Sequence, residues 1–291
     1  MVINKHGSFY LRSGWGTKII QAVEKDEMIF SPSNELKAVD NIGLGRVMIR
    51  ALRYWADASR LTKEVKVQGG VKEEKLPLFN LIAKGDRYFQ RQGSLLLLHR
   101  NIATNDENTT AWYWAFNELD KQAFTKEEFV EGLHYYLAVN GMTIKKAAVD
   151  KEFNCFKNTY IGEKKFDIRT AMDEDTYPLL GSLHLLRVNE DRKIEKCFLT
   201  KSDIPLLVLV YAIAMDNPEE SESGGQISID KLMEEKKQIG KYFPIRYSKL
   251  IDMLLEAENK KLLTLNNNFG NRYIEFSKIQ YETLLNEYYT E

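Results

Sequence analysis

Apolar positions recur at helical spacing on both sides of Gly43 in the first part of the chain. Ser31-Pro32, just before this series, is a pair typical of a helix start. Because glycine permits a tight turn, the pattern predicts a short helix ending at Ile42 and a second helix from about Arg46 to Ser59, a helix-turn-helix arrangement. The positions that set the spacing are Leu36, Val39, Ile42, Leu44, Ile49, Leu52 and Trp55.

Residues 69–75 are polar and charged, which predicts a loop or the tip of a short hairpin. Residues 76–160 again have helical patterns. Thr125 and Glu128 form a capping box that opens a helix closing at Gly141. Thr143 is then expected to cap a further helix that runs to about Tyr160, which makes a second pair of helices joined by a short turn.

Residues 162–199 are charged and irregular, with one apolar patch at 179–188, and are interpreted as a connecting segment. The last part of the chain has a clearer order. It predicts a buried helix (204–215), an acidic loop (216–225), a short strand (227–229), two helices (230–239 and 246–258) and two strands (262–265 and 273–276) around a turn at Asn266–Gly270. That order is typical of a winged helix.

The predicted fold is therefore mainly α with small β-hairpins, arranged as tandem helix-turn-helix and winged-helix units. The expected units are an N-terminal helix-turn-helix unit (1–75), a middle helical unit (76–161), a connecting segment (162–199) and a C-terminal winged helix (200–291).

The overall charge is nearly balanced, with 41 basic and 42 acidic residues among 291. This balance argues against a protein that simply coats DNA, but a local basic surface remains compatible with it. Cys155 and Cys197 lie among apolar or aromatic neighbours and are expected to be free thiols. The N-terminal segment has no apolar stretch typical of a signal peptide, and the longest apolar run is too short to cross a bilayer, so a cytoplasmic protein with no membrane partner is expected.

A local excess of basic residues follows the first predicted turn, where residues 44–66 contain six basic and two acidic residues. Arginines on one helical face suit phosphates and base edges in a major groove, whereas the alternative is a solvated face or pairing with acids elsewhere. We expect reversal of the charge of Arg46 and Arg50 to weaken DNA binding. The candidate nucleic-acid-binding residues of this region are Arg46, Arg50, Arg53, Arg60 and Lys63.

Two further sets of cations lie on the other predicted helix pairs. Those of the middle unit are interrupted by Asp150 and Glu152, which favours an ordinary surface helix, and those of the last unit are opposed by acids on the same helix. The candidates are Lys145 and Lys146 in the middle unit, and Arg246, Lys249 and Arg272 in the last unit.

No residue set predicts catalysis, a cofactor or a metal. The four histidines are scattered without a second ligand at metal-binding spacing, and no nucleophile elbow, dinucleotide fingerprint or P-loop is present. The alternating aromatic residues Trp112, Trp114 and Phe116 are expected in the core, although stacking on single strands is an alternative.

Several short motifs in the chain resemble the bacterial domain-of-unknown-function family 4007. They occur in the expected order over nearly the whole length, and Gly7 departs from the acidic residue usual in that family. The motifs are His6-Gly7-Ser8-Phe9, Arg12, Gly14-Trp15 and Lys18; Gly43-Leu44-Gly45, Met48-Ile49-Arg50 and Arg53-Tyr54-Trp55; Leu96-Leu97-Leu98-His99, Ala103-Thr104-Asn105, Thr110-Ala111-Trp112-Tyr113-Trp114 and Phe124-Thr125; Asp150 to Tyr160, Glu174-Asp175 and Pro178-Leu179.

The resemblance implies a bacterial protein encoded beside sulfurtransferase-like enzymes of the phosphoadenylylsulfate reductase type, in DNA phosphorothioation or related phage-defence clusters. It implies no activity that can be assigned to residues. Three functions remain as hypotheses: a non-enzymatic DNA-binding accessory or regulatory protein, an adaptor that holds a sulfur-transfer or nucleic-acid enzyme, or an enzyme whose site the sequence does not reveal. The expected partners are duplex DNA or proteins of such a system, and a homodimer is a further option.

Overall fold

The chain folds into a mixed, mostly helical structure with small antiparallel sheets. A computed structural model describes residues 1–162, 176–268 and 271–290. Two 3₁₀ turns lie at Pro32–Asn34 and Leu179–Leu183. The helices are α1 (Trp15–Lys25), α2 (Glu35–Ile42), α3 (Arg46–Ala58), α4 (Pro77–Gly85), α5 (Gln92–Ala103), α6 (Thr110–Asn117), α7 (Lys126–Val139), α8 (Lys146–Tyr160), α9 (Leu206–Asp216), α10 (Pro218–Ser223), α11 (Ile229–Glu234), α12 (Ile239–Tyr242), α13 (Tyr247–Asn259) and α14 (Glu282–Thr290).

Within the described residues the strands form three sheets, ordered β1-β2, β3-β5-β4 and β6-β8-β7, and every pairing is antiparallel. The strands are β1 (Thr62–Val67), β2 (Gly70–Lys75), β3 (Ala123–Phe124), β4 (Leu186–Val188), β5 (Ile194–Lys196), β6 (Gln226–Ser228), β7 (Leu263–Asn268) and β8 (Asn271–Phe276).

The helix bounds predicted around Gly43 are confirmed to within one residue. The first helix of this pair ends at Ile42, and Gly43 has a φ of 74°, the left-handed conformation that glycine adopts without strain. The second helix buries Ile49 and Leu52. The local apolar spacing and one glycine therefore determine this corner of the fold.

The chain after α3 forms a complete hairpin, where only a loop or hairpin tip was predicted. Strands β1 and β2 pair from Thr62↔Lys75 to Val67↔Gly70, with Gln68 and Gly69 between them. The strands were missed because charged residues fill most of their positions, which hides the alternation of apolar and polar residues that indicates a strand.

The capping box before α7 is confirmed, because Thr125 accepts from the Glu128 amide and Glu128 accepts from the Thr125 amide. The expected cap at Thr143 is wrong, since α8 begins only at Lys146. His134 of α7 donates from Nε2 to the Ile144 carbonyl at 3.0 Å. This hydrogen bond holds the segment just before α8 against α7, and Lys145 at its end is extended. A tertiary contact thus delays the start of α8.

The connecting segment contains regular structure that the sequence did not predict. Residues 163–175, including Glu174-Asp175 of the family motifs, lie outside the described residues. Strands β4 and β5 pair with each other, and β5 also pairs with β3 of the middle unit. Strands of two or three residues carry too little periodicity to be recognised in a sequence.

The C-terminal region has the predicted order with four corrections, one of which is the short helix α12, which was not predicted. The predicted loop 216–225 contains α10, and α14 was not predicted. Helix α11 ends at Glu234 rather than near Ile239, and Lys237 then adopts a φ of 64°. Strand β6 pairs with β8, which pairs with β7. The predicted turn includes residues 269–270, which lie outside the described residues.

Helix α14 packs against the N-terminal half of the chain. The phenol of Tyr288 accepts from the Gly93 amide at 3.0 Å, and Tyr289 shares a hydrogen bond with Ser94 at 2.9 Å. A Cβ on Gly93 would lie 2.6 Å from the Tyr288 ring, so only glycine allows this approach. The end of the chain is thereby attached to the start of α5.

Helix α5 is buried along its length and connects elements that are far apart in sequence. Asn101 donates to the Ser59 carbonyl at 3.0 Å, just after α3. Arg100 pairs with Asp216 at the end of α9, at 2.6 Å, and Tyr242 of α12 donates to the same carboxylate. The polar side chains of one helix therefore hold the N-terminal and C-terminal regions together.

His99 adds a second buried connection from α5. Its Nε2 donates to the Tyr242 carbonyl at 2.8 Å, so Nδ1 accepts from the Tyr160 hydroxyl at 2.8 Å. Burial lowers the pKa of His99 to about 4, which keeps the imidazole neutral at physiological pH. Residues from all four predicted units join one cluster of buried side chains around this helix. Trp112, Trp114 and Phe116 belong to it, which confirms the core interpretation of these aromatic residues.

The N-terminal segment is anchored by a buried pair between His6 and Glu152 of α8. Ser8 donates its amide to His6 Nδ1, so Nε2 carries the hydrogen and donates to Glu152 at 2.9 Å. Asn4 donates its amide to the same carboxylate at 2.7 Å. The His6 ring packs between Trp55 and Trp112, so this family motif has a structural role.

We expect His6→Asn to destabilise the protein by about 2–4 kcal/mol, because the shorter amide leaves a buried carboxylate without one of its donors. Urea unfolding followed by circular dichroism measures this loss. The matched control is His184→Asn, since His184 is exposed in a left-handed conformation that asparagine tolerates. Equal stability of the two variants would contradict the anchoring role.

Glu73 on β2 is a buried carboxyl group, because this residue is only 1% exposed. One oxygen accepts from Thr62 at 2.6 Å, and the other has no hydrogen-bond partner. Burial raises the pKa of Glu73 from 4.5 to about 7. The folded state thus favours the protonated acid, so stability is lost as pH rises from about 4.5 to about 7.

We expect Glu73→Gln to be more stable than the parent protein by about 1–3 kcal/mol at pH 8, and equally stable at pH 4. The reason is that glutamine stays neutral where the buried carboxyl must ionise. Thermal unfolding across this pH range tests the difference. Glu74→Gln, the exposed neighbour on the same strand, is the control and should show no such dependence.

Candidate nucleic-acid interface

Two of the three arginines predicted to face DNA on α3 form ion pairs within the protein. Arg50 binds Glu35 of α2 through Nε at 2.5 Å, and Arg53 binds Glu64 of β1 through two nitrogens. The Arg50 hydrogen bond lowers the pKa of Glu35. Arg46 is exposed. The face predicted to be cationic is therefore largely balanced by the glutamates of neighbouring elements.

The basic residues expected beyond the second helix lie in a turn and in a strand. Arg60 lies after the helix end with a φ of 52° and turns inward, where its guanidinium contacts Thr104. Burial is the main cause that lowers the pKa of Arg60, and repulsion from Arg100 is the second cause. Lys63 is exposed on β1. The predicted set is thus divided among a helix, a turn and a strand.

The middle unit presents its two candidate lysines at the start of α8. Lys145 is the exposed N-cap residue, and Lys146 lies 3.3 Å from Glu131 of α7. Both members of this pair are well exposed, so it contributes little to stability. No described contact joins these lysines to the cations of the other units.

The C-terminal unit presents its cations at the start of α13 and on the following hairpin. Arg246 is exposed at the N-cap of α13, with its guanidinium 4.8 Å from the centre of the Phe198 ring. Lys249 pairs with Asp252 at 3.1 Å on the same helix. Arg272 is exposed on β8. Arg246 is the candidate that is exposed, held by an aromatic ring and free of a described carboxylate partner.

Two lysines that the sequence analysis missed lie near the segment that precedes Arg246. Lys196 ends β5, Lys241 lies on α12, and both line a cleft with Phe198 and the segment just before Arg246. Leu199 pairs with Ile245 and brings these segments together. Neither lysine has a local signal in the sequence, because they are 45 residues apart in the numbering and only this pairing makes them neighbours.

Metal-binding groups, reactive thiols and membrane-spanning helices were also considered as functional features of the described part of the chain. No group of three or more histidine, cysteine or acidic side chains is close enough to hold a metal ion. Cys155 and Cys197 are free, and burial raises the pKa of both thiols. None of the described helices has the length and apolar character needed to span a bilayer.

Comparison with known proteins gives a family and a fold. The two solved structures described as "Magnesium ion-bound SspB crystal structure" and "SspB crystal structure" match with TM-scores of 0.85 and 0.84. Their sequences are 20% and 21% identical to this one, and each match covers 99% of this chain and 88% of the other. At this identity the likeness shows a common fold. The curated proteins give no significant match.

The family model DUF4007, described as a protein of unknown function, matches residues 3–289. This match spans the motifs His6 to Lys18 at one end and helix α14 at the other. The chain therefore belongs to the DUF4007 family.

Proposed function

We propose that the protein is a non-enzymatic DNA-binding accessory or regulatory component of a bacterial phosphorothioation-type DNA-modification or phage-defence system. In this proposal residues 200–291 form a winged helix that contacts duplex DNA. Helix α13 would be the recognition helix, and β7 and β8 would be the wing. The pairing order β6-β8-β7 supports this assignment, because a winged helix joins its first short strand to the terminal hairpin in this way.

The exposed Arg246 at the start of α13 is the observation that carries the DNA-binding proposal. A recognition helix meets base edges mainly through its N-terminal residues, and the Phe198 ring holds this guanidinium in place. Lys241 lies on α12, in the element that precedes it, and Arg272 lies on the hairpin that would reach the backbone. The pairing of Arg50 and Arg53 with glutamates favours this region over α3.

The absence of an enzymatic activity of its own is also part of the proposal. Among the described residues, the pair of His6 with Glu152 and the pair of Arg100 with Asp216 are both buried, and both hold separate parts of the chain together. Groups of this kind are poorly placed to meet a substrate. The likeness to SspB structures and the family context implied by the motifs support a place in a defence system.

Arg246→Glu should weaken binding to a short DNA duplex by about tenfold at low salt and reduce the salt slope by about one. Fluorescence anisotropy at two salt concentrations, with plain and phosphorothioated duplexes, measures both effects. The control is Lys260→Glu, because Lys260 is an exposed cation at the opposite end of α13. Arg50→Glu compares the N-terminal unit and should have a smaller effect.

Unchanged affinity in Arg246→Glu would reject the assignment of α13 as the recognition helix. A larger loss in Arg46→Glu or Arg50→Glu would instead place the interface on α3. No binding of the parent protein to either duplex, even at low salt, would reject the DNA-binding proposal as a whole.

A protein adaptor is the second candidate function, and one exposed apolar pair favours it. Tyr135 and Val139 are four residues apart on α7, which places them on one face, and they are 72% and 66% exposed. Neighbouring exposed apolar side chains are typical of protein contact surfaces. The occupant in this proposal is the sulfurtransferase-like enzyme that the family context implies.

If the adaptor function holds, the double variant Tyr135→Lys, Val139→Lys should lose its complex with the co-expressed sulfurtransferase-like enzyme in size-exclusion chromatography. Two charges in an apolar interface cost several kcal/mol, so about a hundredfold loss of affinity is expected. The control is Val188→Lys, an exposed apolar residue on β4. Retention of the complex by the double variant would reject this surface.

A further inference from the structure

A cleft of about 270 Å³ lies between the end of α6, strand β5 and the turn that follows α12. This volume is below the roughly 300–1,000 Å³ of most small-molecule sites, so the cleft suits a small group rather than a whole nucleoside. Its walls contain one aromatic ring from the core, Phe116, and the exposed ring of Phe198. The cleft is distinct from the base-reading surface proposed for α13.

Lys196 is held in this cleft in a defined position. Its Nζ donates to the Leu119 carbonyl at 2.9 Å and lies 5.9 Å from the centre of the Phe116 ring. The Lys196 amide donates to the Gln122 carbonyl, and the Gln122 side chain donates back to the Lys196 carbonyl. The backbone is thus fixed on both sides, and the ammonium keeps donors for a further acceptor.

The cations of the cleft outnumber its anions. Lys196 and Lys241 have no ion pair with a described carboxylate, and Lys241 is close enough to repel Lys196. The acids that line the cleft are Glu118, which pairs with Lys236 at 2.8 Å, and Asp120, which attracts Lys196 from the rim. The third lysine, Lys121, pairs with Glu128 at 2.6 Å. Lys196 and Lys241 therefore line one small space together with Asp120, which offsets part of their charge.

The pKa of Lys196 is lowered to about 8, mainly by burial and to a smaller extent by repulsion from Lys241. A buried ammonium beside a like charge costs folding free energy, and apolar replacement would remove that cost. An anion bound between the two ammonium groups would offset the repulsion and restore the charged state. The arrangement is typical of a ligand site, where local stability is lost in favour of binding.

We propose that Lys196 and Lys241 form a binding site for a single phosphate group. Free phosphate carries close to two negative charges at neutral pH and a nucleic-acid backbone phosphate carries one, and each offers several acceptor oxygens to the two ammonium donors. The phosphate belongs either to a nucleic-acid backbone or to a free small molecule. The site does not require that the protein binds DNA.

The test is a titration of the full chain with inorganic phosphate, by isothermal calorimetry and thermal shift, against sodium chloride at equal ionic strength. The parent protein should bind phosphate and melt at a higher temperature with it. Lys196→Met and Lys241→Met keep the apolar stems but remove the charges, and each should weaken phosphate binding at least about tenfold. Lys196→Met should also melt at a higher temperature than the parent without phosphate.

Lys260→Met is the matched control, because it removes an exposed lysine far along α13 and should bind phosphate like the parent. Two results would overturn the site. One is a parent protein that responds to phosphate no more than to chloride. The other is full phosphate binding in Lys196→Met and Lys241→Met.

A competition experiment between inorganic phosphate and duplex DNA identifies the source of the phosphate. If a DNA backbone phosphate occupies the cleft, inorganic phosphate competes with duplex DNA and Lys241→Met weakens both. If the ligand is a free phosphate, Lys241→Met loses phosphate binding but keeps its affinity for DNA. Both results support the site. Loss of DNA binding in Arg246→Glu together with full phosphate binding in both lysine variants would overturn the site and leave the proposed function standing.

Discussion

The buried pair of Arg100 and Asp216 is the interaction on which the arrangement of the structure depends. Burial raises the pKa of Asp216, while the pairing with Arg100 and the hydrogen bond from Tyr242 favour its charged form. Such a pair is tolerated in a core only when every partner is in place. Because the partners come from α5, α9 and α12, these three helices must meet in one relative position.

Neighbouring polar residues of α5 extend this constraint to the rest of the chain. Asn101 reaches the end of α3, His99 reaches α8 and α12, and Ser94 reaches α14. Apolar packing alone would permit several orientations of these helices, whereas hydrogen bonds to specific backbone carbonyls permit few. The central helix therefore determines which surfaces of the other helices remain exposed.

The distribution of charge pairs then separates cations that stabilise the fold from cations that are available to ligands. Arg50 and Arg53 have glutamate partners on adjacent elements, whereas Arg246 and Lys241 have none among the described residues. Balanced overall charge is thus compatible with an uneven surface. Arg246 and Lys241 lie near the place where the segments before α13 and after β5 run side by side.

The sequence alone determined the features that depend on neighbours within a few residues. These are the corner at Gly43, the capping box at Thr125 and the strand, helix and hairpin order near the C-terminus, together with the family through its motifs. Tertiary structure alone decided the partners of Arg50 and Arg53, the delayed start of α8 and the cleft of Lys196 and Lys241. The physical reason is that ion pairs and clefts are set by contacts between residues far apart in the chain, which leave no periodic pattern in the sequence.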